Sequence, residues 1–157
     1  MIYTSETHNV EFIPSVVDRM RGLYELSCAN KCEVLACMVG CYSSDATKAI
    51  VQRLECISRG EFAGVARDAL LVTNQMKWLW NESNGRVFFL GEWHSHPMNS
   101  NTPSLLDVDT ALDTAADESA KCPQFIMAIS GSDGLGVHVV TRKGELIALR
   151  CQGGKRM

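Results

Sequence analysis

The sequence predicts a mixed α/β domain in which a curved β-sheet is flanked by helices. Segments of strand period and of helix period interleave irregularly along its 157 residues. Neighbouring strand segments are joined by short turns, such as Ser43-Ser44-Asp45 and Gly131-Ser132-Asp133-Gly134. No linker or internal repeat interrupts the chain, so residues 1–157 read as one domain, long enough for a real core.

Taken in order, residues 8–13 read as a short strand around Val10, Phe12 and Ile13. Pro14 suits a first helical position. Val16, Met20, Leu23 and Ser27 then share one helical face, with Val17 and Tyr24 beside them, and the helix should end near residues 28–30. Residues 34–42 are an almost uncharged run that reads as a buried strand. Residues 49–57 alternate apolar with polar, which fits a half-buried strand forming a hairpin with the one before. Gly60 and Gly64 mark a loop. Ala69, Val72, Met76 and Leu79 recur at helical spacing up to about Asn81, and Asn84-Gly85 is a turn. Val87, Phe88, Phe89 and Leu90 open a buried strand that ends in His94 and His96. Residues 104–120 read as a helix that buries Leu105, Val108, Leu112, Ala115 and Ser119 and exposes Asp109, Asp113 and Asp117. Strands follow at 124–130, 137–141 and 146–149, and the tail 153–157 is expected to fray.

Composition narrows the function. Hydrophobic content of 46% and charged content of 21% are those of an ordinary globular protein. A net charge of -3 offers no basic footprint for nucleic acid. No apolar run approaches membrane-spanning length, and the first residues lack the basic and apolar regions of a signal peptide. Seven cysteines cannot all pair within the chain. Reduced thiols in a cytoplasm are therefore expected.

The chemistry concentrates in Gly91-Glu92-Trp93-His94-Ser95-His96-Pro97 and its continuation to Asp107. Residues two apart on a strand face the same side, so both imidazoles can reach one point. Pro97 ends the ladder, residues 99–103 form a turn-rich loop, and Ser104 opens a helix with Asp107 one turn in. Two imidazoles and a carboxylate are the ligand set of a catalytic zinc site with a fourth position open. Ser104 and Asp107 also suit a plain helix N-terminus. The joint pattern, His-Ser-His-Pro followed at fixed spacing by Ser-x-x-Asp, resembles the signature of the JAMM (MPN+, or JAB1/MPN/Mov34) zinc metallopeptidases. That resemblance implies a single JAMM/MPN-type domain of cytidine-deaminase-like architecture, with one zinc on His94, His96 and Asp107.

It implies further roles. The family's general base is a Glu at the start of an apolar strand after the first helix, a place matched here by Glu33. Glu92, two before His94, is the next candidate, and Glu11, Glu25 and Glu55 are weaker ones. Ser104 would donate a hydrogen bond to the developing oxyanion. The implied substrate is the C-terminal tail of a ubiquitin-like protein, in a conjugate or a precursor. The wording around the histidines is similar to prokaryotic JAB peptidases encoded beside E1- and E2-like proteins in bacterial antiphage operons, which would be partners. Two alternatives stay open: a non-catalytic MPN interaction scaffold, and a small-molecule metallohydrolase acting on sulfur-carrier adducts. Cys28, Cys32, Cys37 and Cys41 cluster but do not form Cys-x-x-Cys knuckles. Cys37 and Cys41 share a strand face and read as small apolar groups, and the cluster is not expected to hold a second metal. His8 and His138 lack a suggestive partner and read as structural.

Overall fold

A computed structural model describes residues 1–45, 47–60, 69–117, 122 and 124–153. In chain order its elements are β1 (Ile2–Thr4), β2 (Asn9–Phe12), α1 (Pro14–Asn30), β3 (Val34–Tyr42), β4 (Ala49–Arg59), α2 (Ala69–Glu82), β5 (Phe88–Ser95), α3 (Leu105–Ala116), β6 (Gln124–Gly131), β7 (Gly134–Thr141) and β8 (Leu146–Gln152).

The strands close into a barrel in the order β1-β2-β4-β3-β5-β6-β7-β8. This corrects the expected architecture of a curved sheet flanked by helices. The cause is β1, which the sequence reading missed: three residues are too few to show a period. Tyr3 of β1 pairs with Val10 of β2 on one side and with Cys151 of β8 on the other. β8 was expected to stop at 149, and the residues beyond that point are the ones that meet β1. Most pairings are antiparallel; β2 with β4 and β5 with β6 are parallel. The second parallel pair needs a crossover, and α3 lies within it.

α1 buries Val16, Val17, Met20, Leu23 and Ser27, the face its spacing predicted. The apolar members join Phe12, Met38, Leu90, Trp93 and Ile126 in the main core. The helix ends at Lys31, whose left-handed φ of 50° turns the chain into β3. α3 packs Ala111 and Ala115 on Phe125, Met127, Ile129 and Val140 of β6 and β7. Its buried face differs from the expectation: Ala115 is buried, but Ala111 joins it, Val108 and Leu112 are only half-buried, and Leu105 is 86% exposed. α2 anchors through Leu79 and a Trp80–Phe88 ring contact of 5.2 Å, while Leu70, Leu71 and Trp78 face solvent. α3 also stops at Ala116, capped by Asp117 in an extended conformation, short of the expected end at Ala120. The expectations for Gly64, for Ser119 and for the tail beyond 153 lie outside the described residues. No helix among the described residues is long and apolar enough to cross a membrane.

Candidate metal centre

The site begins with a defect in β5. Met38 of β3 faces Gly91, and the next residue, Val39, faces Phe89, so Leu90 is an extra residue on β5. Gly91 has φ 143°, and a Cβ there would overlap the Ile126 main chain. Only glycine fits this kink. Beyond it, Trp93 points into the core, and strand alternation turns His94 to the other side. His96 lies just past the strand end, its N–H still donating to Ser130 O at 2.8 Å.

The two Nε2 atoms are 3.1 Å apart. His94 Nε2 is 3.3 Å from Asp107 Oδ1, and His96 Nε2 is 3.4 Å from Asp107 Oδ2. The side chains are 9%, 12% and 19% exposed for His94, His96 and Asp107, so the cluster is recessed but reachable. His96 Nδ1 lies 3.0 Å from Ser100 O, an acceptor that requires the proton on Nδ1. In the neutral ring Nε2 then carries a bare lone pair, aimed at a second imidazole nitrogen and a carboxylate. Three lone-pair donors converging in this way fit a divalent cation with nitrogen and oxygen ligands. Among the described residues this is the group of His, Cys, Asp and Glu that could hold one.

Asp107 is aimed by the helix start. Ser104 Oγ accepts from Asp107 N–H at 3.2 Å, and Asp107 Oδ2 accepts from Ser104 N–H at 2.7 Å, which makes a capping box. Burial alone would raise the Asp107 carboxyl. When the Nε2 atoms carry protons, hydrogen bonds from His94 and His96, with one from Ser104, instead hold it well below the usual range. The same Asp107 contact raises His96, against a lowering by burial. The cap uses Ser104 Oγ as an acceptor, and the same hydroxyl has a proton to donate, to the Asp107 carboxylate or to a group bound beside it.

Glu33 is half-buried at the mouth of β3, one residue before Val34. Leu35 pairs with His94, which brings the start of β3 alongside the histidines. The Glu33 carboxylate is close enough to add to the upward shift of His96.

The loop between His96 and Asp107 rests on the β6–β7 hairpin. Ser132 N–H donates to Asn99 O at 2.7 Å, and Asn101 N–H donates to Asp133 Oδ1 at 2.7 Å. Between them sits Ser100, whose carbonyl orients His96. A Cβ on Gly131 would overlap Asn101 N and Ser100 C, so this glycine makes room for the loop.

A family profile described as prokaryotic homologs of the JAB domain matches residues 15–149. The chain belongs to the prokaryotic JAB-domain family. Among curated proteins, this JAB chain is similar to a "CD-NTase/cGAS isopeptidase" of Enterobacter hormaechei subsp. hoffmannii (strain UCI 50). The two are 27% identical over 99 residues, which cover 63% of this chain and 55% of that protein. The match thus spans about half the length of the curated relative. Among solved structures, it resembles the solution structure of protein DSY2949 from Desulfitobacterium hafniense. The TM-score is 0.62, with 15% identity and 88% of each chain covered, a likeness of fold alone.

In this JAB domain the structure joins His94, His96, Asp107 and Ser104 by direct contacts and brings Glu33 beside them. Glu92 is buried on the His94 side of β5, in register with Cys37 and Met127. Glu11 pairs with Lys48 and Glu55 with Arg53, and Glu25 is exposed. None of the seven cysteines, Cys28, Cys32, Cys37 and Cys41 included, forms a disulfide. His8 bonds Thr7 at 2.7 Å, and His138 is half-buried on β7. Sequence reasoning missed Ser27, Ser95, Ser100, Gly131 and Asp133. For Ser95 a signal existed: strand alternation turns it inward from the two histidines, where a hydroxyl needs a partner. For Asp133 the turn-forming sequence hid any other role.

Proposed function

We propose that this chain is a zinc-dependent isopeptidase. It would hydrolyse the (iso)peptide bond at the C-terminal tail of a ubiquitin-like protein, by deconjugation or precursor processing. We place it in the cytoplasm, within a bacterial conjugation or antiphage system with E1- and E2-like partners, and read residues 1–157 as one JAMM/MPN+ unit. The observation that carries this reading is the convergence of His94 Nε2, His96 Nε2 and the Asp107 carboxylate within 4.8 Å. Membership of the JAB family and a relative named an isopeptidase support it. So does a rim of exposed Met98, Leu105 and Leu106 along the segment that joins the ligands, which suits a polypeptide substrate.

His94, His96 and Asp107 would hold the ion. When bound, zinc supplies a Lewis acid that polarises the scissile carbonyl and acidifies water. Glu33 takes a proton from the attacking water as the C–O bond forms, and in a second step returns it to the amine as the C–N bond breaks. The Ser104 hydroxyl donates to the carbonyl oxygen as charge develops there. Ser100 O keeps the His96 proton on Nδ1.

Purified protein is expected to carry about one zinc per chain. It should cleave a ubiquitin-like protein from a lysine conjugate or from a short C-terminal extension. The His94→Ala, His96→Ala double variant should lose both properties. Full zinc retention by that variant would sink the ligand assignment. Bound zinc without cleavage of any tail would leave an interaction scaffold. Cleavage of free dipeptides or sulfur-carrier adducts without a folded partner would favour a small-molecule hydrolase.

A further inference from the structure

We propose that Ser95 and Ser27 are positioning residues that hold Glu33 in register with the metal ligands. The proposal rests on the assignment of Glu33 as the general base.

Both serines are fully buried, at 0% exposure. A buried hydroxyl is costly unless it is hydrogen-bonded. Here the bonds form a directed chain. Val34 N–H donates to Ser95 Oγ at 2.9 Å. Ser95 and Ser27 Oγ atoms are 2.7 Å apart. Ser27 Oγ–H donates to Cys32 O at 2.6 Å. Each hydroxyl has one proton. Ser27 spends its proton on Cys32, so Ser95 must donate to Ser27.

The two ends of this chain, Cys32 C=O and Val34 N–H, belong to the two peptide groups that flank Glu33. Each peptide is planar, so pinning both restrains φ and ψ of Glu33 and with them the direction of its Cα–Cβ bond. Gly60 N–H adds a bond to Glu33 O at 3.0 Å. The anchor also comes from the right place. Ser95 sits between His94 and His96, so the backbone that aims the ligands also holds the base. Ser27 ties both to the last turns of α1, where Cys32 N–H returns to Ser27 O at 3.1 Å. A base must lie within hydrogen-bond reach of the proton it takes, and a misplacement of about 1 Å costs on the order of 100-fold.

The test is a double-mutant cycle on the zinc-loaded protein, with a ubiquitin-like fusion as substrate. Ser95→Ala is expected to lower kcat about 10- to 100-fold, with KM and zinc content unchanged. Ser95→Thr, which keeps the hydroxyl, should return most of that rate. In a Glu33→Gln background, Ser95→Ala should cost less than about threefold more, because its effect runs through a base already removed. Independently of activity, the Val34 amide should exchange faster in Ser95→Ala. Ser27→Ala breaks the same chain from the helix side and serves if Ser95→Ala does not fold. A wild-type kcat in either folded alanine variant overturns the proposal. So does loss of zinc, or a full multiplicative loss in the Glu33→Gln background, since either would mean that the serines act through the histidines. Glu33→Gln alone reads the underlying assignment separately: a wild-type rate there would remove the base, not the anchor.

Discussion

At the residue scale the site is economical with hydrogen bonds, and Ser104 holds two of them in one box. Its Oγ accepts from Asp107 N–H, and its N–H donates to the carboxylate that faces both histidines. Ser104→Ala should therefore cost about 1 kcal/mol in denaturant unfolding, the usual loss of a cap. If the spare hydroxyl proton meets the oxyanion, the same change should also cut kcat ~100-fold or more. Ser104→Asn separates the two effects, because it caps without a hydroxyl. We expect near-native stability and lost catalysis, and a wild-type rate would reduce Ser104 to a helix cap.

At the element scale, two pieces carry the His94, His96 and Asp107 cluster and a third holds the loop between them. On α3, Asp107, Ala111 and Ala115 follow each other at intervals of four, so the stripe that buries the alanines on β6 ends in Asp107. Small side chains at the two alanines let α3 lie close to the sheet, which brings Asp107 to β5. That register also explains the exposed Leu105: with Asp107 facing inward, a residue two earlier faces away. The β6–β7 hairpin then fixes the ligand loop from below. Gly131→Ala would push a methyl group into the Asn101 and Ser100 main chain. It should loosen the Ser100 carbonyl and lower zinc affinity roughly 10- to 100-fold, the usual cost of losing an outer partner of a metal-bound His. Competition with a chelator at fixed pH reads this directly. Asp133→Ala, which frees Asn101 N–H without adding bulk, should move affinity in the same direction by less. Unchanged affinity in both variants would mean that the loop holds itself.

At the scale of the whole molecule, closure of the barrel and burial across β7 set the stability. Tyr3 lies in the seam made by β1. Its hydroxyl donates to Leu135 O at 3.1 Å, and its ring meets Phe12 edge-on at 5.8 Å. Burial, reinforced by Cys151, pushes its phenol above the ordinary range. On β7, burial lowers the pKa of His138. The unfolded imidazole takes its proton near about 6.5, and the folded one only at lower pH. Below about 6.5 the unfolded state therefore binds more protons, and stability falls as pH drops from there towards the folded pKa. His138→Gln should flatten that part of the curve in denaturant titrations across this range. An unchanged slope would place the acid sensitivity elsewhere. The scales differ in how much the sequence discloses. Alternation along β5, the stop at Pro97 and the Ser104–Asp107 cap are local rules, so the triad was legible before any fold was known. The faces of α1 and the β3–β4 hairpin were legible for the same reason. Barrel closure was not: β1 pairs with β8 from the far end of the chain, and three residues hold too little pattern to announce it. Nor was the lock on Glu33, where Ser27 and Ser95 meet across 68 residues. Periodicity and capping are set by neighbours along the chain, whereas pairing partners and buried hydroxyl contacts are chosen only when the core assembles.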